Sequence, residues 1–252
     1  AEHSVLVPTN ETKSKLIGRD GQHIRLLESL TGTDLVFDPE QPNLLLISTH
    51  DPIRRETTRI AIESLLASRK ITAAAIEKQV QTAQNDVLKD LRQTGERTVS
   101  MLKIGFMHPD FMKIIGRLKF RTSYGQNVLN HSIEVAQMTG VMAAELGEDV
   151  RLAKRAGLLH DIGKAIDHEI EGTHVEIGVA LAKAYGEDPI VINAIAAHHG
   201  DVEATSPISI LVAIADAVSG SRPGARSESV EEYINRLHSL EKFANNQKGV
   251  QE

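Results

Sequence analysis

An α+β fold in two parts is predicted: a small βααββα unit over residues 1–72, a helical linker over 73–100, and an all-helical domain over 101–252. Three observations predict it. Up to about residue 70, short apolar alternations are separated by glycine and proline turns. Beyond about residue 73 the apolar spacing becomes helical, and proline is absent between Asp110 and Asp188.

The elements follow in order. Ser4 to Val7 alternates as a strand, a short helix starts at Thr12, and Gly18-Arg19-Asp20-Gly21 forms a turn into a second helix, Gln22 to Leu30, ended by Gly32. Asp34 to Phe37 and Leu44 to Ser48 read as strands around the Pro39 and Pro42 turn. Asp51 then caps a helix with Pro52 at its first position, running to about Ser68. From Ala73 to Ser100, residues Ile76, Val80, Val87, Leu91 and Val99 mark a long, otherwise polar helix joining the halves.

Composition narrows the function. Apolar residues make up 41% and charged residues 25%, as in an ordinary globular chain. Aromatics are only 3%, with no Trp, so the core must come from aliphatic side chains and Met. No cysteine is present, which excludes disulfides, thiolate metal sites and a cysteine nucleophile. The net charge of −6 argues against a uniformly basic nucleic-acid binder but leaves room for local patches. No apolar stretch approaches the roughly 20 residues that cross a bilayer, so no membrane contact and a cytoplasmic location are expected of this segment. It opens without Met and closes on the polar run Asn245 to Glu252, as expected of an excised fragment cut short at its C-terminal end.

His160 and Asp161 stand together in the apolar run Gly157 to Lys164, where unpartnered imidazole and carboxylate groups are costly. His131, His174, His198, His199 and Asp216 lie in similar surroundings on either side. Imidazole with carboxylate suits Mn, Fe, Zn or Ni better than Ca, and the candidate ions are Mn, Mg, Zn or Fe. One ion would take His131, His160, Asp161 and Asp216. Asp161 would bridge to a second, held by His174 and by His198 or His199. Two ions about 3.5–4 Å apart can activate water against a phosphoryl group, which makes Asp161 and Lys164 the catalytic candidates. Lys164, about one turn beyond His160, would reach the same pocket. The remaining histidines, His3, His23, His50, His108, His168 and His238, read as structural or solvent-facing.

His131, His160-Asp161 and Asp216 resemble the H…HD…D signature of the HD metal-dependent phosphohydrolase superfamily, which is all-helical, and the extra histidines resemble its two-metal members. Leu16-Ile17-Gly18-Arg19-Asp20-Gly21-Gln22-His23-Ile24 resembles the loop of a type I KH domain. The order KH then HD, with Ile214 to Arg226, is similar to the bacterial ribonuclease Y family of endoribonucleases. That resemblance implies single-stranded RNA held near Gly18, Arg19, Asp20 and Gly21, with its phosphodiester cleaved by metal-activated water in mRNA decay. It also implies a homodimer, RNA-degradation partner proteins, and tethering to the inner face of the bacterial membrane by an N-terminal helix that this segment lacks.

Arg222 and Arg226, set around Pro223 and Gly224, are candidates to clamp phosphate. Arg117, Lys119 and Arg121 form a basic cluster that suits either RNA tracking or a plain charged loop. Two other functions share the same residues. One is a cyclic-dinucleotide or nucleotide phosphodiesterase, although the Gly-Tyr-Pro signature of the former is missing. The other is an RNA-binding scaffold whose metal is structural.

Overall fold

A computed structural model of the chain describes residues 3–68, 70–221 and 238. Its first unit is β1 (Ser4–Leu6), α1 (Asn10–Ile17), a 3-10 turn (Arg19–Gly21), α2 (Gln22–Thr31), β2 (Asp34–Phe37), β3 (Leu44–Ser48) and α3 (Pro52–Ala67). The three strands make an antiparallel sheet in the order β1-β3-β2, with Val5 opposite Leu45 and Leu35 opposite Ile47. These four side chains are buried together with Leu16, Leu27, Ile62 and Leu65, so one sheet face is closed by helices. α1 begins two residues before the predicted start because the Thr9 hydroxyl accepts the Thr12 amide at 3.1 Å. Asp51 caps α3 by accepting the Ile53 amide at 2.8 Å.

Between α1 and α2, the backbone takes positive φ at Gly18 (76°), Asp20 (54°) and Gly21 (75°). A turn with three such residues in four needs glycine where a side chain would otherwise clash. A Cβ on Gly18 would lie 2.6 Å from the His23 ring.

α4 (Ala73–Leu102) is capped by Thr72 and ends at Lys103 in the left-handed region. Its apolar stripe is buried along its length. Ile76, Val80 and Ala83 join the core of the first unit, while Val99 and Leu102 join the second core. The chain then runs through α5 (Pro109–Arg117), a 3-10 turn (Leu118–Phe120), the short hairpin β4 (Thr122–Ser123) and β5 (Gln126–Asn127), α6 (Val128–Leu146) and α7 (Val150–Leu159). A 3-10 segment (Ile162–Ala165) leads to α8 (His174–Ala184), α9 (Pro189–Ala197) and α10 (Pro207–Ser221). The second core is aliphatic, as the composition requires, with Phe111 its large aromatic exception, stacked on Tyr185. Among the described residues no helix is long and apolar enough to cross a membrane.

Arg155 of α7 ties loops to this core. Its guanidinium pairs with the buried Glu187 and donates to the carbonyls of Ile104 and Phe106. Arg117, Lys119 and Arg121 all find acids: Glu169 at 3.2 Å, Asp90 at 2.7 Å and Asp167 at 2.9 Å. Their charge is thus largely spent inside the molecule, which favours the plain structural use of that cluster over RNA tracking.

The 3-10 segment lies hard against α8. A Cβ on Gly163 would stand 1.8 Å from the His174 carbonyl oxygen, backbone that cannot step aside. Gly163→Ala should therefore destabilise the fold by about 1–3 kcal/mol and lower the thermal midpoint by several degrees. Scanning calorimetry of the two proteins side by side checks this, and an unchanged midpoint would refute the contact.

Candidate metal centre

Each ligand-type side chain arrives from a helix end or an inward helix face. Asn127 caps α6 by accepting the Asn130 amide, which starts the helix so that His131 and Val135 share its buried side. α7 stops at His160, and Asp161 leaves the helix at φ −106°, ψ 16°. The apolar run predicts a continuous helix here, and the structure breaks it: the pair sits at the helix end, which lets Asp161 face away from α7. Lys164 therefore lies in the 3-10 segment, with its ammonium 3.0 Å from Asp161 Oδ2. His174 is the first residue of α8, held by a reciprocal cap between Thr173 and Glu176. His198 follows the last residue of α9, and Asp216 faces inward from α10.

These residues form two groups that share Asp161. In the first, His131 Nε2 lies 2.9 Å from Asp216 Oδ1 and 3.2 Å from His160 Nε2, while His160 Nε2 lies 3.3 Å from Asp161 Oδ2. In the second, Asp161 Oδ1 lies 3.5 Å from His174 Nε2 and 3.6 Å from His198 Nε2, and His199 Nε2 lies 3.2 Å from His174 Nε2. One carboxylate oxygen thus serves each group. Ligands about 2.0–2.2 Å from a tetrahedral ion stand about 3.3–3.6 Å from one another, and the three separations from Asp161 to His160, His174 and His198 fall there. Direct hydrogen bonds would be about 2.7–3.2 Å.

The ring orientations fit the same use. His160 Nδ1 donates to the Gly157 carbonyl and His198 Nδ1 to the Ile195 carbonyl, each at 2.7 Å, leaving Nε2 as the lone-pair nitrogen. His198 Nε2 is buried and makes no hydrogen bond, an orphaned acceptor that a cation would satisfy. His131 Nδ1 is hydrogen-bonded to the Ser219 hydroxyl at 2.8 Å. Ser219 did not emerge from the sequence, although it lies one helical turn after Asp216 and so shares its face.

Among themselves the side chains pair as ions, so a metal ion binding at Nε2 of His160 would have to displace a proton. Burial opposes charge on His160, but Asp161 and Asp216 outweigh it and push the imidazole up to about 10. Burial likewise opposes ionisation of Asp161 and Asp216, yet the imidazoles around them hold both below the ordinary carboxylate range. Burial lowers His174 and His199, against the pull of Asp161, so both favour the neutral form that binds metal.

Gly18, Arg19, Asp20 and Gly21 form the turn of the first unit, with Arg19 and Asp20 exposed. Arg222 and Arg226 lie outside the described residues.

Two outcomes are expected. In chelator-treated protein, the His160 pairing, whose folded value lies above the ordinary 6.5, stabilises fully below about pH 6.5 and fades as pH rises through about 10. The depressed Asp161 and Asp216 contribute above the ordinary carboxylate range and lose that contribution as pH falls through their folded values. Denaturant midpoints measured across pH should fall off on both sides, and a midpoint insensitive to acid would contradict the pairing. Ser219→Ala should weaken metal affinity about 10–100-fold by freeing the His131 ring. Calorimetric titration with Mn²⁺ reads this directly.

Comparison with known proteins bears on the same residues. Residues 128–221, which contain His131, His160, Asp161, His174, His198, His199 and Asp216, match the HD domain family. The chain is 70% identical over 251 residues, 100% of its length, to Ribonuclease Y 2 of Levilactobacillus brevis, of which it covers 47%. It is 58% identical over 246 residues, 98% of its length, to Ribonuclease Y of Enterococcus faecalis, again covering 47%. Against Ribonuclease Y of Geobacillus kaustophilus the figures are 58% over 247 residues, 98% of this chain and 48% of that protein. The chain spans about half the length of the curated relatives it matches, and over that half it is similar to the ribonucleases Y, with an HD domain match on the segment that carries the paired His/Asp groups, which could hold metal.

Proposed function

We propose that this chain is the RNA-cleaving portion of a ribonuclease Y, in which the first unit is a type I KH domain over residues 1–72 and the helical unit, over 101–252, is an HD phosphohydrolase that cuts single-stranded RNA internally. The observation that carries this reading is Asp161: one buried carboxylate with an oxygen turned to each of two histidine groups. Such a pair of groups suits two divalent ions and phosphodiester hydrolysis, and the names of the similar proteins supply RNA as the substrate.

In this reading His131, His160, Asp161 and Asp216 hold one ion, and Asp161 with His174, His198 and His199 holds the other. Bound there, the ions would supply Lewis acidity for the phosphoryl oxygens and an activated water. The chain's own residues do the rest. The carbonyls of Gly157 and Ile195 and the Ser219 hydroxyl hold three imidazoles in register. Lys164 balances the Asp161 carboxylate and is placed to meet phosphate charge. In the first unit, glycine at 18 and 21 removes the side chains that would keep a sugar-phosphate strand off the turn, and Arg19 adds a cation, against which Asp20 acts. A phosphate clamp by Arg222 and Arg226 completes the proposal from sequence alone.

Incubating 5′-labelled single-stranded RNA with metal-loaded protein should give internal cuts in Mn²⁺ or Mg²⁺. Asp161→Ala should lose more than about 100-fold of that rate, since both groups lose a ligand. Intact RNA alongside hydrolysis of a cyclic dinucleotide would replace this reading with a nucleotide phosphodiesterase. RNA retained uncut, with metal bound, would replace it with a binding module.

A further inference from the structure

A third ligand-type group lies away from the paired centre. His168 was expected to be structural or solvent-facing, yet its side chain is 9% exposed and neither ring nitrogen makes a hydrogen bond. An imidazole always carries at least one donor, and burying both nitrogens without partners is costly. Nε2 lies 3.4 Å from Glu169 Oε1 and 3.8 Å from Asp51 Oδ1, and one ligand atom from each of the three residues falls within 4.8 Å of the others. These gaps are long for hydrogen bonds and close to the spacing of ligands around one ion.

We propose that Asp51, His168 and Glu169 hold a divalent transition-metal ion separate from the paired centre. One imidazole with two carboxylates suits zinc or its first-row neighbours over Mg or Ca. The carboxylates have other work: Asp51 Oδ1 caps α3, Asp51 Oδ2 lies 3.6 Å from Arg54, and Glu169 Oε1 accepts from Arg117 at 3.2 Å. A carboxylate has about four lone-pair sites, so these contacts leave positions for a metal. Three protein ligands leave at least one position open to solvent, which the half-exposed Glu169 admits.

The location gives the ion a role. Asp51 opens α3 of the first unit, whereas His168 and Glu169 follow the 3-10 segment that carries Lys164. An ion there would pin the first unit to the segment leaving the paired centre, and would act as a structural clasp.

Zinc counting tests this on the full chain. Asp161→Ala, Asp161→Ala/His168→Ala and Asp161→Ala/Glu169→Gln proteins are chelator-stripped, reloaded with zinc, desalted and analysed by plasma mass spectrometry. Each double variant should hold one equivalent less than Asp161→Ala, and added zinc should raise its unfolding midpoint less. Glu169→Gln changes an exposed carboxylate, so it decides the matter should His168→Ala fail to fold. Equal zinc in Asp161→Ala and Asp161→Ala/Glu169→Gln, with equal midpoint shifts, would overturn the proposal.

Discussion

The Asp161 carboxylate is the constraint around which the helical unit is arranged. Removing an ionised carboxylate from water costs several kcal/mol unless charge and hydrogen bonds compensate, and Asp161 is 2% exposed. Compensation comes from four helices at once. α6 supplies His131, the end of α7 His160, α8 His174, and the end of α9 His198, while Lys164 approaches from the 3-10 segment. The helix packing has to deliver all of them to within a few ångströms of one atom pair. This explains why Gly163 is pressed against the His174 carbonyl, and why two imidazoles are tied to carbonyls three residues before them.

Much of the centre was legible because buried polar residues have few cheap explanations. His160-Asp161 and Asp216 interrupt runs of Leu, Ile, Val and Ala, and a cation is the economical reason for putting them there. The βααββα order was legible for a different reason: alternation in Val5, Leu35, Leu45 and Ile47, with Gly, Pro and Asp at the breaks, is local information.

Other features left no local trace. The apolar stretch 157–162 reads as continuing helix, and the break at Asp161 depends on α8 packing across it. Ser219 is an ordinary small residue of an apolar helix until α6 sets His131 against it. His168 resembles any loop histidine because Asp51, its neighbour across the interface, belongs to the first unit. The basic look of residues 117–121 dissolves once Glu169, Asp90 and Asp167 are placed beside them. In each case the missing fact was a partner distant in the chain.

α4 belongs to both cores: its N-terminal half packs with the sheet unit and its last turns with the helical unit. The two units therefore have no dispensable hinge between them. A cut just after the start of this helix would take Ile76 and Val80 from the sheet unit, and one just before its end would take Val99 and Leu102 from the helical unit. Either unit carried to another protein would have to bring its own stretch of this helix, because that stretch is part of its interior.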